Sequence, residues 1–272
     1  MLLPGRGYEY RTKNNRETPF ETFLRYTNEK NKLAKKYLKI LRERIPNGFS
    51  GEISVLDIGA GEGAFLNNVL KKLLDQRKST KISITLLEPS VDLMNALKNN
   101  FPKTAQLRPF FVNDRWEEFK VRKKFDFIFA THLYHFNIDN YLLEIRNMLF
   151  LLKGGGSLIF TLRGKDDVFH FKTKFKKGIF GVFRAKTSQV IEKGLVQLNE
   201  EGYKTIKFKS KSKLRIPIFK DEQDFVAIME FYLNYPWIDL DEKIKDSVIK
   251  YVKRKKGAFL QEDNIFVFSK AN

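Results

Sequence analysis

Val55-Leu-Asp-Ile-Gly-Ala-Gly-Glu-Gly63 is the stretch on which the fold turns. It closes an apolar run, Ile53-Ser-Val-Leu-Asp-Ile58, and leads into Ala64–Leu74, where Phe65, Leu66, Val69, Leu70 and Leu73 recur at helical spacing. A strand that ends in glycines and opens a helix lets the backbone bend tightly and approach a ligand closely. Gly59-x-Gly61-x-x-Ala64 by itself also fits a dinucleotide fingerprint. Two carboxylates discriminate. Asp57, inside the strand, repels a diphosphate and attracts a cation. Glu88 ends the next strand, where a carboxylate accepts both hydroxyls of a ribose.

Outward from that loop the pattern alternates. Ile82–Leu87 reads as a second strand and Val91–Asn100 as a helix. Leu107–Val112 and Phe125–Ala130 read as the third and fourth strands. A helix over Asn140–Leu152 stops at Gly154-Gly-Gly156, and Ser157–Leu162 is a fifth strand. Strands alternating with helices imply a parallel sheet covered on both faces. Upstream, Phe20, Phe23, Leu24, Leu33, Tyr37, Leu38 and Leu41 give helical spacing over 19–44, ended by Pro46-Asn-Gly-Phe-Ser-Gly51. Downstream come a helix over 187–201, a strand over Lys204–Ile218 and a helical stretch over 221–256 interrupted at Pro236. The last strand, Ala258–Lys270, has a polar kink at Gln261-Glu-Asp-Asn264. Two late strands predict an antiparallel hairpin at one sheet edge.

The 272 residues contain no cysteine, which excludes disulfides, thiolate metal sites and cysteine nucleophiles. No His/Asp/Glu cluster has metal-ligand spacing, so no metal is expected. No apolar run is long enough for a signal peptide or a span, which predicts a cytoplasmic protein without a membrane partner. The net charge is +19, and residues 163–215 alone hold 15 basic and 5 acidic side chains. Lys207, Lys209, Lys211, Lys213 and Arg215 alternate, so one face of their strand is a cationic row. Phe169, Phe171, Phe175, Phe180 and Phe183 interleave with lysines. Together these favour either solvated lysines around a core or a nucleic-acid platform.

The constellation Asp57, Gly59, Gly61, Gly63 and Glu88 resembles that of the class I S-adenosylmethionine-dependent methyltransferases. The resemblance implies an α/β, Rossmann-like, doubly wound seven-stranded sheet with an antiparallel last strand and an N-terminal helical lid. It divides the chain into a helical cap (1–50), an S-adenosylmethionine-binding core (51–162) and a C-terminal part completing the sheet and covering the substrate pocket (163–272). It implies that Asp57, Gly59, Ala60, Gly61, Gly63, Glu88, Pro89, Asn113, Asp114 and Thr131 bind the cofactor S-adenosyl-L-methionine.

Methyl transfer is an in-line displacement needing alignment, a dry site and a base where the nucleophile is protonated. His132, just past the fourth strand, is one of three histidines and is expected to face the pocket as one catalytic candidate; it also suits a helix-start histidine bonded to backbone. More narrowly, Phe23-Leu-Arg-Tyr-Thr-Asn-Glu29, Glu88-Pro-Ser90, Phe125-Asp-Phe-Ile128 with Tyr134, and the run from Asp221 onward are similar to histamine N-methyltransferases. That similarity makes Glu29 and His132 candidate catalytic residues, and Glu29, His132, Tyr134 and Glu262 candidate substrate contacts. The family's glutamine after the fourth strand is His132 here, its asparagine before the last strand falls at Gln261-Glu262, and its glutamine after Glu-Pro-Ser is Leu93. These departures argue against histamine itself and leave a small-molecule acceptor, with an amine nitrogen preferred. In a chain at +19, a carboxylate such as Glu29 suits holding a cationic amine and accepting the proton that an ammonium must lose before attack, or an ion pair with Lys32 along its helix. The alternative is a nucleic-acid methyltransferase using the basic 163–215 surface. No oligomeric state is legible.

Overall fold

The structure, a computed structural model, describes residues 18–136, 138–181, 186–218 and 222–270. Seven strands form: β1 (Glu52–Ile58), β2 (Lys81–Leu87), β3 (Leu107–Val112), β4 (Phe125–Thr131), β5 (Leu152–Arg163), β6 (Tyr203–Arg215) and β7 (Ala258–Lys270). They make one sheet in the order β3-β2-β1-β4-β5-β7-β6. The pairs β3–β2, β2–β1, β1–β4 and β4–β5 are parallel, and β7 runs antiparallel to β5. The expected doubly wound, seven-stranded fold is therefore present. The strand order reverses between β1 and β4, and ligands of such sheets sit beyond the carboxyl ends at that point.

Ten α-helices accompany the sheet among the described residues: α1 (Pro19–Tyr26), α2 (Glu29–Arg44), α3 (Ala64–Gln76), α4 (Val91–Asn100), α5 (Tyr141–Phe150), α6 (Asp167–Phe180), α7 (Gln189–Glu192), α8 (Leu195–Glu200), α9 (Glu222–Leu233) and α10 (Glu242–Arg254). No helix among the described residues is long and apolar enough to cross a membrane.

The chain divides into two compact units. A sheet unit holds residues 31–163, 186–210 and 263–270; a helical unit holds residues 18–30, 164–181, 211–218 and 222–262. Residues 51–162 lie wholly in the sheet unit, whereas 1–50 and 163–272 are each divided between the two.

In the sheet unit, alternate strand residues serve two cores. Val55, Ile84, Phe129, Ile159 and Ile265 pack with Leu33, Tyr37, Leu41, Leu66 and Leu70. Leu56, Ile128, Phe160 and Phe266 pack with Tyr141, Ile145 and Leu149. Burying both faces explains the near-continuous apolar runs of β1 and β2.

In the helical unit, Phe23, Phe171, Phe175, Ile228, Tyr232, Val248, Val252 and Phe259 form a third core. Phe23 stacks on Phe231 at 4.8 Å between ring centroids. Thr18 caps α1 through a reciprocal box with Glu21, each satisfying a backbone donor of the other.

Several boundaries differ from the sequence reading. The helix expected over 19–44 breaks at Thr27, whose backbone is extended and bridges Leu214. Asn28 completes the break: its amide donates to the Lys213 carbonyl and its Oδ1 accepts from the Lys213 amide. Strand pairing outcompetes helix propagation there. The helix expected over 187–201 is two short ones, α7 and α8, separated at Gly194.

β5 begins at Leu152, not Ser157, so the triple glycine lies inside a strand. A Cβ on Gly156 would sit 2.9 Å from the Phe125 carbonyl oxygen, so glycine admits β5 against β4 beside a register shift. The polar kink expected at 261–264 is absent, since β7 is continuous and Gln261, Asp263 and Asn264 are buried within it.

The cationic row on β6 is as expected: Lys207, Lys209, Lys211, Lys213 and Arg215 are exposed at alternate positions. Such lysines also blunt a sheet edge against further pairing. Lys207 is held by Glu192 at 2.7 Å. The aromatic platform does not form, because Phe171 and Phe175 are core residues. Phe183 lies outside the described residues, as does the Asp221 start of the following helix.

Candidate active site

The alternation that buries apolar residues on the sheet face against α2 places polar ones at its carboxyl edge. Asp57 is the penultimate residue of β1, Thr131 ends β4, and Thr161 lies opposite Thr131 on β5. Asp263 pairs with Arg163 as β7 enters the sheet. Asp57, Thr161 and Asp263 are buried. The Tyr37 hydroxyl, from α2, spans this tier, 2.7 Å from Thr131 Oγ1 and 2.8 Å from Thr161 Oγ1. Burial pushes the Tyr37 phenol far above its ordinary range, the charges of Asp57 and Asp263 push the same way, and the two threonine bonds only partly offset this. Tyr37 is therefore a neutral group between carboxylates.

The glycine loop sits beside Asp57. Gly59, Gly61 and Gly63 all have positive φ, at 71°, 58° and 79°. The Gly59 and Ala60 amides donate to the Leu87 carbonyl, tying the loop to β2. The glycines differ in purpose. A Cβ on Gly59 would lie 2.5 Å from Leu133 Cδ2, and one on Gly63 2.2 Å from Leu97 Cδ1. A Cβ on Gly61 meets nothing within 4 Å. At 59 and 63 a side chain would have to displace Leu133 or Leu97 on top of the left-handed φ, while Gly61 presents open backbone.

Glu88 secures the loop, its Oε2 accepting from the Gly61 amide at 2.9 Å and its Oε1 from the Ser90 amide at 3.0 Å. Each carboxylate oxygen retains a second lone pair. Asn113, at the end of β3, donates from Nδ2 to the Glu88 carbonyl at 2.8 Å, and Asp114 accepts the Arg115 amide. Pro89 is exposed next to Glu88. All ten residues expected to bind cofactor thus stand at or just beyond the carboxyl ends of β1, β2, β3 and β4.

His132 follows Thr131. Its φ of 59° is left-handed, one of three such non-glycine residues described. The turn is held by its amide donating to the Thr161 carbonyl at 2.9 Å. Its Nε2 lies 3.0 Å from Asp263 Oδ1. The Tyr134 ring stacks on the imidazole at 5.8 Å, and the Tyr134 hydroxyl accepts the Arg163 amide. His135, by contrast, packs edge-on against Phe136.

The remaining two candidates belong to the helical unit. Glu29 opens α2 and is buried; its Oε2 accepts from Gln261 Nε2 at 3.3 Å. Gln261 also bonds Thr27, Ser212 and Tyr232. Gln261, the neighbour of Glu262 on β7, thus hydrogen-bonds Glu29. The Glu262 amide donates to Asp166 Oδ2, and its carbonyl accepts from the Gly164 amide.

Sequence reasoning missed Tyr37, Thr161 and Asp263. Tyr37 looked like one more apolar residue of an amphipathic helix, and Asp263 like part of a polar kink in the last strand. The available signal was a run of polar residues, Gln261-Glu-Asp-Asn264, inside a terminal strand that is apolar on either side of it.

Comparison with known proteins follows this geometry. The family described as "Methyltransferase domain" matches residues 23–202. Among curated proteins, the chain is 25% identical over 200 residues to malonyl-[acyl-carrier protein] O-methyltransferase of Priestia megaterium, covering 69% of this chain and 68% of that one. It is 27% identical over 123 residues to malonyl-[acyl-carrier protein] O-methyltransferase 2 of Ilyobacter polytropus, where the match covers 45% of this chain and spans less than half, 44%, of the relative. Loganic acid methyltransferase, solved with S-adenosylhomocysteine, superposes with a TM-score of 0.56 at 9% identity, over 89% of this chain and 93% of that one. A Bacillus halodurans structure assigned as a methyltransferase gives 0.52 at 15% identity, over 87% and 100%. These two structural likenesses are of fold.

Proposed function

The chain belongs to the methyltransferase domain family and is an S-adenosylmethionine-dependent methyltransferase, and from that premise we propose that it methylates a small molecule at an amine nitrogen. S-adenosylmethionine supplies a methyl group on positively charged sulfur. The residues at the carboxyl edge fit it. Asp57 offers a buried negative charge for a cationic group, and Glu88 has lone pairs to spare for hydroxyls. Gly61 leaves its backbone open to close approach. In this proposal Asp57, Gly59, Ala60, Gly61, Gly63, Glu88, Pro89, Asn113, Asp114 and Thr131 hold the cofactor.

The observation that carries the amine is the sign of the charge at the tier. Asp57 and Asp263 are both buried carboxylates, with the neutral Tyr37 between them. Such surroundings favour a cationic acceptor and oppose an anion such as the malonyl group that names the curated relatives. An ammonium must lose a proton before its nitrogen can attack. His132, beyond Thr131, accepts that proton, and the Tyr134 ring keeps the imidazole plane in place. Glu29→Gln and Glu262→Gln are the matched tests of the helical unit.

The experiment is an acceptor panel with methyl-labelled S-adenosylmethionine, containing arylalkylamines, phenols, a malonyl carrier-protein thioester and short RNAs. Transfer to amines is expected. Transfer only to the malonyl oxygen, to phenols or to RNA would overturn the proposal.

A further inference from the structure

Asp263 has no role in the family resemblance, yet it is the most constrained polar side chain of the tier. It is fully buried, its Oδ1 lies 3.0 Å from His132 Nε2, and its Oδ2 has no hydrogen-bond partner among the described residues. A buried carboxylate with an unmet oxygen is costly, and such an exception calls for an explanation. The residue it holds carries a second cost. His132 has left-handed backbone, which is unfavourable for an L-residue. Strain of this kind persists where surrounding structure over-determines it, and it clusters at functional sites. Three contacts over-determine this turn: the amide to the Thr161 carbonyl, the ring to Asp263, and the stack with Tyr134.

We infer that Asp263 is the positioning residue of the methyl-transfer base, fixing the His132 imidazole as the Nε2–H tautomer so that Nδ1 is the nitrogen that takes the acceptor's proton. The inference rests on the amine reading above for the proton's origin. An ionised carboxylate only accepts hydrogen bonds, so the ring nitrogen facing it must carry hydrogen. The acceptor's N–H bond then breaks toward Nδ1, its electron pair stays on nitrogen as the attacking lone pair, and the ring becomes positive. Asp263 stabilises that positive ring, and the charge it gains offsets the burial of the carboxylate. Thr131 and Thr161, tied together through Tyr37, fix the end of β4 that His132 follows against β5, the strand with which β7 pairs at Asp263.

The test needs no acceptor at its first step. In 15N-histidine-labelled protein with S-adenosylhomocysteine bound, the neutral His132 ring, identified by its loss in His132→Gln, is expected as the Nε2–H tautomer. In Asp263→Asn that preference is expected to disappear, because an amide both donates and accepts. Turnover of arylalkylamines is expected to fall on the order of 10²-fold in Asp263→Asn, while calorimetry shows S-adenosylhomocysteine binding as in wild type. A wild-type Nδ1–H tautomer overturns the inference outright. So does an Asp263→Asn protein that binds cofactor normally and turns over amines at the wild-type rate. If no amine is methylated but the tautomer is Nε2–H and shifts in Asp263→Asn, the amine reading fails and the positioning role stands.

Discussion

The two ends of the sheet treat polar side chains in opposite ways. At the amino ends they close on one another. Asp126 Oδ2 accepts from the Ser54 amide, the Ser54 hydroxyl and Lys153 Nζ at 2.7–2.8 Å. Thr80 donates to the Phe49 carbonyl, and Arg77 donates to the Ile45 and Pro46 carbonyls. At the carboxyl ends, capacity is left over. Asp263 Oδ2 has no donor among the described residues, Glu88 has lone pairs to spare, Gly61 faces open space and His132 is strained. Groups that satisfy one another hold the fold, and groups kept short of partners are held for a ligand. Substitutions at the two ends should accordingly separate stability from function.

The largest separation is expected in Glu88→Ala and Asp57→Ala. Each should weaken S-adenosylhomocysteine binding by at least about 10²-fold, or about 2.7 kcal/mol, measured by calorimetry. A stability loss with unchanged affinity would erase the distinction between the two ends.

The glycine loop sharpens the comparison within a few residues. Gly63→Ala should destabilise by roughly 2 kcal/mol, because its Cβ collides with Leu97 and its φ is positive. Gly61→Ala should cost about 1 kcal/mol of stability from its φ alone, yet reduce cofactor affinity at least tenfold. Denaturant titration read beside calorimetry resolves the pair.

At the amino ends, Asp126→Asn should cost about 1 kcal/mol of stability and leave methyl transfer intact. Burial pushes the Asp126 carboxyl up, but the bonds from Lys153 and Ser54 outweigh it and hold the group below its ordinary range. A carboxyl lowered in the folded state contributes stability above its unfolded pKa, and that contribution is lost as pH falls through the folded value. Wild-type and variant stabilities should therefore differ at neutral pH and converge in acid. The smallest effect belongs to the sheet edge, where Lys207→Ala removes a half-exposed pair with Glu192 and should shift stability by under about 0.5 kcal/mol.

What the sequence made legible was local. Asp57, the three glycines and Glu88 are read from spacing, because a strand, a turn and a helix start are set by neighbours in the chain. The late strands were legible as well, since their alternation survives in β6. Long-range pairing hid the rest. The break at Thr27 depends on a bridge to Leu214, and the glycines of 154–156 read as a helix stop because only the packing of β4 shows why β5 needs them. Asp263 gains its place from its register against β5, and Tyr37 from threonines 94 and 124 residues away. No periodicity encodes such meetings.

A crystal of the protein soaked with S-adenosylhomocysteine tests most directly whether the carboxyl edge is the cofactor site. Density against Gly61, with the ribose hydroxyls on Glu88 and the amino group near Asp57, is the expected result. An empty edge there, or the ligand bound elsewhere on the sheet, would contradict it.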